Sequence, residues 1–242
     1  MGDTTPVVAS EEAADQRETA DRRVWLLMVM AGLTGLVDAT SYLGLGHVFV
    51  ANMTGNVVFL AFALAGAPGL SADLSALALV GFLTGAALAG RIGRHSTPGR
   101  HWLLVGIGAQ VILLGAALLA AILTDAVGTG GGHDSRLRYE VVVPLAMAMG
   151  LQHATARRVA VPEVPTNVLT TTLTGLVVDS RLAGGPGFHA PRRLGAPAAM
   201  FGGALLGGAC LLHVAALIPL ALATALALAC LLATALGRPP GS

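Results

Sequence analysis

Asp38 interrupts an otherwise apolar stretch, and after a Gly-rich break a cluster of amides and a hydroxyl follows: Asn52, Thr54 and Asn56 around Gly55. An ionised carboxylate at the centre of an apolar helix costs about 2.5–3.5 kcal/mol on insertion scales, so it must be paired, hydrated or protonated. The functional reading of Asp38 is a proton or cation site facing a cavity. The structural reading is an acceptor whose hydrogen bonds pin a broken helix. Around Gly55 the backbone can bend or approach a ligand, and the neighbouring amides and hydroxyl can give or take hydrogen bonds from a polar solute. The competing account is hydrogen bonding between helices.

The pattern returns half a chain later. Sliding the sequence by 115 positions sets Gly35, Leu36, Ala39, Thr40 and Asn52 on Gly150, Leu151, Ala154, Thr155 and Asn167, with Asp38 on His153. A shift of 120 sets Thr54 and Gly55 on Thr174 and Gly175. An imidazole titrates near neutral pH, so a facing Asp38 and His153 could carry a proton; alternatively His153 is neutral and donates to a backbone carbonyl. Gln152 flanks it, and Asn167, Thr170, Thr171 and Thr174 would bring polar groups from the second copy.

These residues need elements to hold them. The chain has 242 residues, 55% hydrophobic and 11% charged, and its mean hydropathy is +0.75. That is too apolar for an ordinary soluble domain and places it in a bilayer. A net charge of +1 and the lack of a basic, aromatic-studded face exclude a nucleic-acid partner. Residues 1–23 are polar and mostly acidic and are expected to form a disordered tail ahead of an uncleaved first segment. Eight runs approach the roughly 20 residues a spanning helix needs: 24–44, 50–67, 73–92, 102–123, 140–156, 165–181, 195–212 and 214–236.

The second and sixth runs carry the polar clusters and suit lipid poorly. Positive charge in the loops favours the cytoplasmic side. If all eight runs cross, five arginines (Arg91, Arg94, Arg100, Arg157 and Arg158) fall outside; if the second and sixth dip in and return, twelve arginines lie inside against Arg136 and Arg138 outside. The expected architecture is therefore an all-α, polytopic membrane helix bundle of six spanning helices plus two short interrupted or re-entrant segments. Three crossings per copy make the internal repeat an inverted one, with repeat one at 24–124, a linker at 125–138 and repeat two at 139–236. Transporters and some channels are built this way, with their polar interruptions meeting near mid-membrane. Gly81 and Gly85 against Gly203 and Gly207, 122 positions apart, read as matching sites of close helix packing.

Other features point away from chemistry. Cys210 and Cys230 sit in apolar runs with no metal-binding neighbours, and His47, His95, His101, His189 and His213 have no partner at metal-ligand spacing. The glycines of GTGGG at 128–132 lack the following Lys and Ser or Thr of a phosphate loop. No cofactor and no metal is expected.

The stretches GLVDAT, VFVANMTGNVV, GLQHA and LTG give the chain a resemblance, over about 24–236, to the YoaK-like family of bacterial inner-membrane proteins, a domain of unknown function. The resemblance implies a polytopic bacterial membrane protein and supplies no substrate. The family often has GLQN where this chain has Gln152 and His153, which favours Asp38 and the group from Asn52 to Asn56 as site residues. The loop GRIGRHSTPGR also looks like the Arg-rich cytoplasmic turn of major-facilitator transporters.

The leading expectation is a transporter or channel for a small polar solute or ion, not an enzyme, in the bacterial inner (plasma) membrane with both termini cytoplasmic. Any proton coupling would run through Asp38, and the solute- or ion-binding candidates are Asp38, Asn52, Thr54, Gly55, Asn56, Gln152, His153, Asn167 and Thr174. The lipid bilayer is its surrounding partner, and assembly into a homo-oligomer is left open. A non-transporting membrane assembly or regulatory subunit is one alternative; a membrane-embedded enzyme is another, opposed by the lack of any Ser–His, Cys–His or HExxH spacing.

Overall fold

A computed structural model describes residues 5–94, 99–128, 135–159, 174–175, 177–178, 180, 183–184 and 190–236. Seven helices are formed among them: α1 (Thr5–Gly44), α2 (Met53–Leu64), α3 (Ala72–Arg94), α4 (Arg100–Thr124), α5 (Ser135–Val159), α6 (Ala190–His213) and α7 (Ile218–Leu236). No strand occurs among the described residues. Helix α1 is continuous from Thr5, so it runs through the polar stretch expected to be a disordered tail. The reason is local: SEEAADQRETADRR is rich in alanine and charged helix formers.

Five segments are long and apolar enough to cross a membrane: Val24–Gly44, Ala72–Arg94, Arg100–Thr124, Leu194–His213 and Ile218–Leu236. Leu83, Ile112, Leu119, Leu123, Phe201 and Leu205 stand exposed on α3, α4 and α6, as surfaces solvated by lipid do. Helix α5 is as long as α4, but Gln152 and His153 dilute its hydropathy. It is nonetheless deeply buried, from Val141 and Val142 through Met149 to Thr155 and Ala156, between α3 and α4. Helix α2 has 12 residues and spans only about 18 Å, short of a hydrocarbon core of about 30 Å.

Two parallel crossings organise the bundle, α1 on α6 and α3 on α5. Both rely on glycines that let backbones touch, since helices in lipid gain attraction from close packing and not from expelling water. A Cβ on Gly35 would strike the carbonyl of Met200, and one on Gly203 the carbonyl of Gly32. In the other crossing a Cβ on Gly150 would strike the carbonyl of Phe82, and one on Gly85 the carbonyl of Met147. The contacts correspond one to one when Gly203 is matched with Gly85. That pairing differs by one helical turn from the one read from sequence, Gly203 with Gly81.

Further contacts fix the directions of the long helices. Gly46, just past α1, lies against Leu74 at the start of α3 and Arg138 at the start of α5, while the carbonyl of Gly44 accepts from the N–H of Gly128 beyond α4. At the opposite end Arg158 of α5 lies 4.8 Å over the ring of Trp102 at the start of α4, and the Arg100 guanidinium donates to the carbonyls of Thr234 and Ala235 at the end of α7. The bundle therefore has a loop end and an arginine end. Arg91, Arg94, Arg100, Arg157 and Arg158 all belong to the latter.

Candidate functional site

The site is built where α1 stops. Gly46 at φ +104° occupies the left-handed position after the helix, and the N–H of His47 donates to the carbonyl of Tyr42 at 3.1 Å, the bond that closes a Schellman stop. His47 is left-handed as well, at φ +58°. The chain then turns back into the bundle, and Leu45, Val48, Val50 and Ala51 are buried.

Non-helical backbone in such a place must find hydrogen-bond partners or lose several kcal/mol per group. Two side chains supply them. Asp38 Oδ1 accepts from the N–H of Val50 at 3.1 Å and of Ala51 at 2.9 Å. Asn56 Oδ1 accepts from the N–H of Phe49 at 2.9 Å, while its Nδ2 donates back to the carbonyl of Phe49. Asn52 caps α2 by accepting from the N–H of Gly55. A Cβ on Gly55 would come within 2.8 Å of the Phe49 ring, which stacks between Tyr42 and Phe59 at centroid distances of 4.9 and 5.6 Å.

VANMTGN thus folds as a self-consistent unit. Asn56 is wholly buried and its amide is committed to Phe49, whereas Asn52 and Thr54 are exposed at the start of α2. Asp38 differs from all of these. It is 5% exposed; Oδ1 accepts from Val50 and Ala51, the backbone N–H of Asn52 also acts on the carboxylate, and Oδ2 is buried with no partner at hydrogen-bond geometry among the described residues. A carboxylate with one oxygen anchored and the other open can take up a proton or a small cation without releasing the backbone it supports.

Deeper in the bundle is a second polar group. Gln152 Nε2 donates to Thr34 Oγ1 at 2.9 Å and to the carbonyl of Met30 at 3.2 Å, and its Oε1 accepts from Gln110 Nε2. Thr34 lies one turn before Asp38 on α1, so the two polar groups are neighbours along that helix. Gln110 and Thr34 escaped the sequence reading, although Gln110 stands alone in a long apolar run and was visible for that reason.

His153 faces elsewhere. Its Nδ1 lies 2.8 Å from the carbonyl of Met149, and its ring meets Phe82 edge-on at 5.3 Å. Fifteen residues separate it from Arg138 at the loop end, about 22 Å of helix, while Asp38 is only about 9 Å from Gly44. Asp38 therefore joins the loop and the Asn cluster, Gln152 joins Thr34 and Gln110, and His153 joins neither. Thr174 is exposed, and Asn167 lies outside the described residues.

Residues 26–235 match the family model described as "Protein of unknown function (DUF1275)". The chain belongs to that family. It is similar to the UPF0700 transmembrane protein YoaK of Bacillus subtilis (strain 168), with 28% identity over 158 residues, 64% of this chain and 65% of that protein. The chain thus aligns with just under two thirds of that relative's length. No solved structure matches it. A transmembrane relative and five spanning-length helices make this a multi-pass membrane protein.

Proposed function

We propose that the chain is a transporter or channel for a small polar solute, with Asp38 as the group through which a proton or cation is exchanged. One observation carries the reading: Asp38 Oδ2 is buried without a hydrogen-bond partner among the described residues, while Oδ1 accepts from Val50 and Ala51.

The architecture we infer has six crossings, α5 included, arranged as two oppositely inserted units, 24–124 and 139–236. Support comes from the matched glycine contacts of α1 on α6 and α3 on α5. The ends of the chain segments agree with it. Residues 45–71 leave and rejoin the bundle at the loop end, and α6 starts near the arginine end, where Gly195 meets Met28, as α5 finishes there. The positive-inside bias then makes the arginine end and both termini cytoplasmic in a bacterial inner membrane. Of the remaining candidates, Asn52, Thr54 and Gly55 open α2 beside this carboxylate, and Gln152 lies below it. His153 turns to Met149 and Phe82, Thr174 is exposed and Asn167 lies outside the described residues, so the proposal does not rest on them.

A second reading has an observation of its own. Gln110, Gln152, Thr34 and the carbonyl of Met30 satisfy one another, as they would in a non-transporting membrane subunit. Proteoliposome flux over a panel of labelled polar solutes, comparing the wild type with Asp38→Asn, decides between them. The asparagine keeps an oxygen for Val50 and Ala51 and changes only the exchangeable position. We expect flux driven by a proton or cation gradient to collapse while the protein stays folded. Unchanged gradient-driven flux in Asp38→Asn would sink the role of Asp38, and no flux of any solute in the wild type would favour the subunit.

A further inference from the structure

We propose that the α4–α5 seam contains a binding site for one small neutral oxygen-bearing guest between Trp102 and Thr155, toward the arginine end. The antiparallel register sets Gln110 against Gln152, Gly106 against Thr155 and Trp102 beneath Arg158, so Trp102 and Thr155 belong to adjacent turns of one interface. Each is 1% exposed, and neither Trp102 Nε1 nor Thr155 Oγ1 meets a partner among the described residues.

Two unpartnered atoms on adjacent turns of one interface are unusual, because a buried indole N–H ordinarily finds an acceptor. The threonine is the more telling of the two. Thr34, Thr40, Thr124 and Thr224 each donate to the carbonyl four residues back, the default for a helical hydroxyl out of water. Thr155 does not. Its side chain instead occupies the hollow over Gly106, where an added Cβ would stand 2.6 Å from Oγ1.

The chemistry of the guest follows from the two groups. An indole N–H can only donate, whereas a hydroxyl can donate or accept, so one oxygen atom serves both. The neighbouring Ala89, Leu151, Leu103 and Ala154 are apolar, and the Arg158 guanidinium is laid across the indole face, so the surroundings suit a neutral molecule. Water, or the hydroxyl or carbonyl oxygen of a small solute, fits. Such a guest sits next to Gln152 and prolongs the polar line that runs through Thr34 to Asp38. Its occupancy rests on helix packing and does not depend on the transport reading.

The chain has two tryptophans, and the other, Trp25, is 70% exposed; Trp25→Phe leaves Trp102 as the sole indole reporter. Its emission and lifetime are read on the full chain in lipid nanodiscs, in H2O and D2O, and then against glycerol and urea. A bound water gives a longer lifetime in D2O that Thr155→Val abolishes and Thr155→Ser retains. A bound solute gives a saturable emission shift with glycerol or urea, also lost in Thr155→Val. A Trp102 signal indifferent to D2O and to both solutes overturns the site, as does a response that Thr155→Val leaves intact. Either result leaves the Asp38→Asn flux comparison to stand or fall separately.

Discussion

Helices α1 and α5 each pack in a glycine-lined crossing, yet their polar residues do different work. On α1, Asp38 turns to a non-helical loop and anchors two of its N–H groups; on α5, His153, 115 positions later, keeps to its own helix at the carbonyl of Met149. The cross-helix bonds on α5 come from Gln152 instead. One carboxylate oxygen of Asp38 serves two N–H groups where the backbone has left helical bonding in an apolar setting. Where the helices cross, the amide of Gln152 bonds to side chains and to one carbonyl.

The strongest way to break this comparison is to attack the frame that makes the two helices comparable. Gly85→Val and Gly203→Val each drive a side chain into a backbone carbonyl, of Met147 and Gly32 respectively, which no rotamer change can relieve. Each should cost more than about 3 kcal/mol, and the two should be alike, since the contacts correspond. Thermal unfolding in detergent, followed by size-exclusion chromatography, gives the ranking. If one variant were tolerated and the other not, the correspondence between α1 on α6 and α3 on α5 would be superficial.

Next in size is the contrast between Asp38→Ala and Asp38→Asn. Alanine strands the N–H groups of Val50 and Ala51, at about 1–3 kcal/mol for each unsatisfied donor. Asparagine keeps an acceptor and should cost about 1 kcal/mol or less in stability. A melting temperature for Asp38→Ala no lower than that of Asp38→Asn would mean that the carboxylate is not what holds the loop.

Several of these features were readable before any coordinates. The apolar runs, the break after Gly44 and the polar signature around Gly55 all follow from residue type and period, because lipid permits so few backbone solutions. Partner choice was not readable. Nothing local tells Asn56 to clamp Phe49 and not a solute, since an amide satisfies either equally well. The pairing of glycines by contact differs by one turn from the pairing by sequence because small residues recur every four positions along these helices, and only the facing carbonyl distinguishes one from the next. Thr34 and Thr155 look alike in sequence, yet one hydroxyl donates to the carbonyl of Met30 and the other lies over Gly106 with no partner among the described residues.

The smallest expected effects sharpen the contrast within α5 itself. His153→Asn removes a ring contact with Phe82 and a bond within its own helix, and should change stability by less than about 0.5 kcal/mol. Gln152→Leu removes bonds to Thr34, to Gln110 and to the carbonyl of Met30, and interhelical bonds of this kind average about 0.6 kcal/mol each in a membrane bundle. A loss of about 1–2 kcal/mol is therefore expected at residue 152, and the double variant with Gln110→Leu should lose less than the two singles combined, since one bond is shared. Chemical denaturation in mixed micelles resolves differences of this size. Should His153→Asn prove the more damaging of the two neighbours, the division of labour along α5 would be reversed, and the residue matching Asp38 would bear the load after all.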